Sequence, residues 1–257
     1  MNILVLGNSD TRGTFVDGPT WTAVLRMAVA TGSGAPVDLS EVAFSAVSAS
    51  GPAYAERKIR ELRPDVVILP LGTFAFSVGF TWKRIERLFG KRIAARYRRA
   101  EEAFDRRTRE PGNEPRRLNR LGRNAARRIV GTQPLVSQRQ LTDSYLEVIR
   151  AVARVEDVDL LLVAYPPEQG KHVTIRNLAA KRAEFLAGIR AEASRRHYRL
   201  VDSAPLFAAA PPGDDLLTAD GFHLQRRGHE LLGLAVAEAL NGREPAPATA
   251  RSESSLA

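Results

Sequence analysis

Short apolar runs alternate with helical patterns along most of this 257-residue chain. The apolar runs are nearly continuous and rich in Val, Ile and Leu, which is typical of parallel strands covered on both faces. Strands are predicted at residues 3–6, 42–47, 66–71, 160–164 and 199–201. Helices are predicted at residues 21–30, 53–62, 141–155, 181–195 and 227–240. This alternation predicts an α/β fold, with a parallel sheet and right-handed crossovers.

Residues 1–240 are expected to form one α/β domain with a long insertion. About seventy residues separate the third predicted strand from the helix at 141, far more than a compact connection uses. Apolar residues recur there at helical spacing over 85–104 and 118–129, with a break at 110–115. We interpret residues 83–135 as an inserted helical hairpin. The tail at 241–257 is rich in Pro, Ala, Ser and Thr, which predicts disorder.

The hairpin carries the positive charge of the chain. Residues 83–128 contain 17 Lys+Arg and 6 Asp+Glu, whereas the whole chain has a net charge of +9. The hairpin is therefore either a solvated helical face or a lid over the carboxyl edge of the sheet, because it follows the loop containing Phe74. Nucleic-acid binding is the least favoured alternative, since a basic face attracts phosphate but no nucleic-acid motif accompanies it. Only 5 of the 38 basic residues are lysine, so coding bias also explains part of the arginine content.

Composition excludes several classes of site. The absence of cysteine excludes disulfides, thiolate zinc sites and cysteine nucleophiles. No apolar run reaches the roughly 18 residues of a membrane-spanning helix. The first strand begins almost at Met1 with no basic leader before it, so we expect a cytoplasmic protein. His172, His197 and His229 lack metal-ligand spacing and are expected to be solvated or packed.

Three aromatic residues need an interpretation of their own. Trp21 is expected in the core, on the buried face of its helix. Phe80 and Trp82 follow the third predicted strand, so they either pack in the core or line a substrate pocket. Core packing is the favoured alternative for both.

Two short motifs at opposite ends of the chain carry candidate chemistry. Gly7-Asn8-Ser9 follows the first strand, and Asp220-Gly221-Phe222-His223 precedes the last helix. A serine at such a strand end is exposed and can lie near a helix N-terminus, which stabilises a developing anion. An Asp three residues before a His can hold one imidazole nitrogen while the other faces the serine. Each motif alone also fits an ordinary turn or, for Asp220, a helix cap, but together they favour catalysis.

These motifs resemble blocks of the SGNH, or GDSL-type, hydrolase family. Residues 3–9 look like its first block, with Asn8 where aspartate is usual. Residues 48–51 are similar to its second block, residues 64–74 to its third, and residues 220–223 to its fifth. The resemblance covers nearly the whole chain except the inserted hairpin and the tail.

The resemblance implies a flavodoxin-like three-layer sandwich, with a five-stranded parallel sheet in the order 2-1-3-4-5. Ligands of such sheets bind where the strand order reverses, here between strands one and three. The resemblance also implies Ser9 as nucleophile, His223 as base and Asp220 as its support, with the amides of Ser9 and Gly51 in the oxyanion hole. Gly51 alternatively serves only as a turn glycine. The implied reaction is hydrolysis of a small-molecule or carrier-bound acyl ester or thioester, without metal or organic cofactor.

Phe74 departs from the family pattern at an important position. It stands where the family has an asparagine whose amide donates to the oxyanion, and phenylalanine cannot donate. Losing one such donor typically costs roughly 2.7–4 kcal/mol, or about 10²–10³ in rate. The chain is therefore a weakened esterase-like hydrolase, a hydrolase with a replacement donor such as Thr73 or Arg12, or a non-catalytic binding module. Such a module would use the pocket and the basic hairpin for an anionic partner.

Overall fold

The computed structural model describes residues 1–7, 9, 11, 13, 17–109, 129–169, 173, 175–211 and 214–242, without the side chains of 104–109. Within these residues one parallel sheet has the order β2-β1-β3-β4-β5, which confirms the predicted order. Its strands are β1 (Asn2–Gly7), β2 (Asp38–Ala43), β3 (Val66–Leu71), β4 (Asp159–Ala164) and β5 (Arg199–Asp202). The predicted disordered tail lies outside the described residues, apart from Asn241 and Gly242.

Helices cover both faces of this sheet, as the buried strands require. Every residue of β3 is buried, and so is every residue of β1 after Asn2. The described helices are α1 (Trp21–Ser33), α2 (Gly51–Leu62), α3 (Phe74–Ser77), α4 (Thr81–Phe89), α5 (Lys91–Arg109), α6 (Gln138–Val152), α7 (Leu178–Arg195), α8 (Ala204–Ala208) and α9 (Arg226–Leu240). α1 packs against α9, while α6 packs against both α2 and α7. The result is the expected three-layer α/β sandwich.

The chain divides into two compact units. The first contains Met1–Phe74, Gln138–Gly170 and Asn177–Ala257, and therefore holds the whole sheet. The second contains Ala75–Ser137 and Lys171–Arg176. The predicted insertion at 83–135 lies within the second unit. None of the described helices is long and apolar enough to cross a membrane.

The second strand was predicted too late in the chain. β2 ends at Ala43, because it pairs with β1 from Asn2↔Asp38 to Gly7↔Ala43. It is an edge strand of half-buried and exposed residues, so an apolar run does not mark it. The apolar residues that follow Ala43 belong to the connection between β2 and α2. At the start of this connection the Phe44 N–H donates to the Gly7 carbonyl at 2.9 Å.

β1 and β3 stop pairing before either strand reaches its carboxyl end. Their pairing runs from Ile3↔Val66 to Val5↔Ile68, whereas β3 and β4 pair as far as Leu71↔Ala164. Pro70 lies in this unpaired stretch of β3. The Tyr165 N–H donates to the Leu71 carbonyl, so the backbone of Leu71 faces β4. Because the backbone groups of successive strand residues face opposite neighbouring strands, the backbone nitrogen of Pro70 faces β1. The N–H that proline lacks is therefore not needed for pairing at this point.

Two helices meet at Gly90 in the second unit. Gly90 has a φ of +84°, and its N–H donates to the Glu86 carbonyl at 3.0 Å, which ends α4. The helical spacing over 85–104 predicted one helix, whereas the structure has two, α4 and α5, on either side of Gly90. Ile85 is buried, but Phe89 and Ile93 are exposed, because the break changes the direction of the chain. Nearly all of the predicted second helix at 118–129 lies outside the described residues.

The aromatic side chains of the second unit make local contacts. The rings of Phe80 and Trp82 lie 5.9 Å apart, and the Arg98 guanidinium lies 5.4 Å from the Trp82 ring centre. The backbones of Phe80 and Gln133 pair, with N···O distances of 2.8 and 3.1 Å. These contacts favour packing over a pocket-lining role for Phe80 and Trp82.

Trp21 and His229 join α1 to α9, as their predicted packing roles require. Both side chains are fully buried. The Trp21 backbone N–H donates to Nδ1 of His229 at 3.0 Å, and its indole N–H donates to the Tyr165 hydroxyl at 3.1 Å. Gly233 allows the close crossing, since a Cβ there would lie 2.6 Å from the Trp21 carbonyl oxygen. His197 is exposed, which confirms its expected solvated role; His172 lies outside the described residues.

Candidate active site

Asp220 and His223 form a hydrogen-bonded pair on the loop before α9. Nδ1 of His223 lies 2.7 Å from Oδ2 of Asp220. The other oxygen, Oδ1, accepts from the backbone N–H groups of Phe222 and His223 at 3.0 and 3.1 Å, and from the Thr218 hydroxyl at 2.5 Å. The carboxylate is therefore fixed by four contacts, and it fixes the plane and position of the imidazole.

The charge of Asp220 is stable under this set of contacts. Partial burial acts to raise its pKa, but the hydrogen bonds from Thr218, Phe222 and His223 outweigh it and lower the pKa to about 2. Asp220 is therefore ionised above that pH, and its Oδ2 accepts a hydrogen bond from a protonated Nδ1 of His223. A neutral imidazole held in this tautomer carries its lone pair on Nε2, which is the form required of a general base.

The loop that carries this pair is clamped to the segment after β4. The Gln169 N–H donates to the Gly221 carbonyl at 2.7 Å. Gly221 has a φ of +80°, and a Cβ there would lie 2.1 Å from the Gln169 carbonyl oxygen, so this turn requires glycine. The clamp places the Asp220–His223 loop at the carboxyl edge of the sheet. Asp220 is not the cap of α9, because Gln225 occupies that position.

Ser9 lies beyond the carboxyl end of β1, two residues after Gly7, and is exposed. The chain turns back sharply here. A Cβ on Gly7 would lie 2.4 Å from Oγ1 of Thr11, whose side chain is buried. Gly7 therefore allows Thr11 to pack onto the strand end, which leaves Ser9 at an exposed turn. Asn8 and Arg12 lie outside the described residues.

Phe74 follows β3 at the same edge and is linked to His223 through Phe222. The rings of Phe74 and Phe222 lie 5.1 Å apart, and those of Phe222 and His223 lie 4.8 Å apart. Phe74 thus belongs to an aromatic cluster beside the candidate base. No spacing rule in the sequence would have related Phe222 to Phe74.

Thr73 is engaged by a carboxylate that the sequence analysis missed. Its hydroxyl donates to Oε2 of Glu168 in a short hydrogen bond, and both side chains are buried. A threonine hydroxyl has one proton, so this contact competes with the predicted role of Thr73 as an oxyanion donor. The available signal for Glu168 was its place four residues after the buried strand β4, at the edge where ligands bind.

Tyr145 of α6 braces the loop after β3. Its hydroxyl donates to the Pro70 carbonyl at 3.2 Å and accepts from the Gly72 N–H at 3.2 Å. Burial raises the pKa of Tyr145 to about 12, although the Gly72 hydrogen bond acts in the opposite direction. Tyr145 therefore stays neutral and holds the backbone that leads into Thr73 and Phe74.

Gly51 is the first residue of α2 and is buried. Its N–H donates to the Ser48 carbonyl at 2.8 Å, and a Cβ there would lie 3.0 Å from the Ser45 carbonyl oxygen. These contacts suit a turn glycine. An oxyanion bound at this amide would have to share the N–H with Ser48.

A cavity of about 390 Å³ adjoins the Asp220–His223 loop. Apolar side chains after β4 and β5 contribute to its lining, together with the backbone of Gly221. The residues are Pro166, Pro167, Phe207, Leu216 and Leu217. In the part of the chain that the structure describes, no three His, Asp or Glu side chains are grouped to hold a metal ion.

The fold was compared with those of known proteins. No protein-family profile and no curated protein sequence matches the chain. A lipase/acylhydrolase from Enterococcus faecalis is similar in structure, with a TM-score of 0.58 and 16% identity, over 95% of this chain and 98% of that one. A catalytic mutant of an acetylxylan esterase from Geobacillus stearothermophilus gives 0.55 and 12%, over 95% and 94%. A GDSL-like lipase from Bacteroides thetaiotaomicron gives 0.51 and 12%, over 94% and 88%.

These likenesses extend over nearly the whole chain. At 12–16% identity they concern the fold and not the residues of the site. The chain has the α/β fold of the SGNH, or GDSL-type, hydrolases.

Proposed function

We propose that the protein is a serine hydrolase that cleaves an acyl ester or thioester through an acyl-enzyme on Ser9. The observation that carries the proposal is the Asp220–His223 pair, 2.7 Å apart, at the sheet edge where β1 delivers Ser9. The esterase and acylhydrolase activities of proteins with the same fold support it. The substrate is a small-molecule or carrier-bound acyl ester.

The proposed reaction assigns one role to each member of the triad. Nε2 of His223 removes the proton of the Ser9 hydroxyl while the oxygen attacks the acyl carbonyl carbon. The ionised Asp220 stabilises the imidazolium, which then returns the proton to the leaving alcohol or thiol. Water, activated by His223, hydrolyses the acyl-enzyme and regenerates Ser9. The amides of Ser9 and Gly51 are the proposed donors to the oxyanion.

Two observations favour a second candidate, a binding module without catalysis. By the sequence resemblance, Phe74 stands where the SGNH hydrolases have an oxyanion asparagine, and the Thr73 hydroxyl already donates to Glu168. A site with fewer oxyanion donors binds an ester without accelerating its hydrolysis strongly. Such a module would still present the aromatic surface of Phe74 and Phe222 to a ligand.

Labelling with a fluorophosphonate separates the two candidates, because the probe reacts only with an activated serine. The wild-type protein is expected to be labelled, and Ser9→Ala is expected to lose both labelling and ester hydrolysis while keeping its fold. Ser194→Ala, which removes an exposed serine of α7, is the control and should behave as wild type. Wild-type protein that stays unlabelled, or Ser9→Ala with unchanged turnover, would refute the triad. A screen of short and long acyl esters would then identify the substrate.

A further inference from the structure

Three large apolar side chains are exposed where α4 meets α5. Leu88, Phe89 and Ile93 are 50%, 57% and 51% exposed. We call these three residues the elbow patch. They lie within six positions of one another, on both sides of Gly90. Three large exposed apolar side chains within one short segment indicate a candidate site of interaction.

The bend between α4 and α5, which carries the elbow patch, also has buried side chains. Ile85 of α4 and Ala94 of α5 are buried. The Ala94 N–H donates to the Gly90 carbonyl at 3.2 Å, so the first hydrogen bond of α5 begins at the bend. A Cβ built on Gly90 would meet no atom within 4 Å, which shows that the bend faces open space. The elbow patch is therefore the outer surface of a fixed bend and not a loose end.

Positive charge surrounds the elbow patch. Arg87, Lys91, Arg92 and Arg96 are exposed, and no carboxylate in the described part of the chain forms an ion pair with them. Two further bases of these helices have acidic partners, since Lys83 pairs with Glu86 and Arg98 pairs with Glu102. The four cations closest in sequence to the elbow patch thus have no acidic partner among the described residues.

We propose that the elbow patch docks on an anionic lipid surface. Leu88, Phe89 and Ile93 would enter the boundary between headgroups and acyl chains, which is where such side chains partition. The surrounding arginines and lysine would bind lipid phosphates, with their alkyl stems along the apolar boundary. A nucleic acid offers phosphates to the cations but no apolar phase for the patch. This proposal does not depend on the hydrolase activity.

Sedimentation with lipid vesicles tests the proposal on the full-length protein. Binding is expected to vesicles of mixed phosphatidylglycerol and phosphatidylcholine, and to be at least about tenfold weaker with phosphatidylcholine alone. Replacing the patch by Leu88→Ser, Phe89→Ser and Ile93→Ser should weaken binding to the anionic vesicles by about tenfold or more. Met27→Ser with Leu62→Ser, which removes exposed apolar side chains of the first unit, is the matched control and should bind as wild type.

The cations and the catalytic serine are tested separately. Arg87→Gln with Arg92→Gln should reduce the preference for anionic vesicles, while circular dichroism shows the helices retained. Ser9→Ala should bind vesicles as wild type, so loss of hydrolysis and loss of lipid binding are distinguishable. The proposal is overturned if wild-type protein ignores anionic vesicles, if the triple serine variant binds them equally well, or if only nucleic acid or an acidic protein competes for the patch.

Discussion

At the scale of single residues, Phe74 has the largest consequence for the proposed reaction. Phe74→Asn restores an amide donor at the end of β3 and is expected to raise kcat, by up to about 10²-fold if the amide reaches the oxyanion. Initial rates on the best ester from the screen measure the effect.

Phe74→Ala is the control for this change, because it removes the ring without adding a donor. This variant is expected to show no increase in kcat. It also measures how far kcat depends on the ring contact between Phe74 and Phe222. A well-folded Phe74→Asn variant that is slower than wild type would mean that Phe74 shapes the pocket and that another group donates.

Thr73 is expected to affect stability more than turnover. Thr73→Val removes the donor from the buried Glu168 and should lower the free energy of unfolding by about 1–3 kcal/mol. Chemical denaturation measures that loss, and Thr73→Ser, which keeps the hydroxyl, should restore it. A fall in kcat of about 10² at unchanged stability would instead identify Thr73 as an oxyanion donor.

At the scale of elements, the junction of α1 and α9 carries a pH-sensitive bond. Burial lowers the pKa of His229 from 6.5 to about 4, so folding favours the neutral ring. The contribution of the neutral His229 ring to the free energy of unfolding is complete above pH 6.5 and is lost as the pH falls toward 4. The free energy of unfolding is expected to be about 2 kcal/mol lower at pH 5 than at pH 7.5 through this group.

His229→Gln tests this expectation, because a side-chain carbonyl can accept from the Trp21 N–H without titrating. Its stability should change less than that of wild type between pH 7.5 and pH 5, measured by denaturant unfolding. His197→Gln alters an exposed histidine and should keep the wild-type profile. Parallel profiles for wild type and His229→Gln would show that the junction does not sense pH.

At the scale of the whole molecule, the net charge of +9 is expected to steer anionic substrates. Exposed charges act over about 8 Å at physiological salt, so kcat/KM for an anionic ester should fall as ionic strength rises. A neutral ester of similar size should respond little. The salt dependence should be flatter in the variant that combines Arg98→Gln, Arg99→Gln, Arg106→Gln and Arg107→Gln. Equal responses of the two esters to salt would mean that the basic segment is only a solvated helical face.

Features fixed by local pattern were predictable, and those fixed by distant contacts were not. Asp220 and His223 are three residues apart on one loop, so the sequence indicated their hydrogen bond. The buried strands were indicated by apolar runs, and their order was implied by the family resemblance. The pairing of Thr73 with Glu168 joins residues 95 positions apart and left no periodic signal. The start of β2 was missed because an edge strand is defined by backbone pairing and not by apolar side chains.

The pairing of β1 with β3 ends before the residues of the proposed site begin. Because Val5↔Ile68 is the last pair, the residues that follow β3 can change without breaking a hydrogen bond between these strands. Tyr145 holds their backbone from α6, whatever side chain stands at position 74. Exchanges at position 74 are therefore expected to alter the proposed reaction while leaving the pairing of β1 with β3 intact.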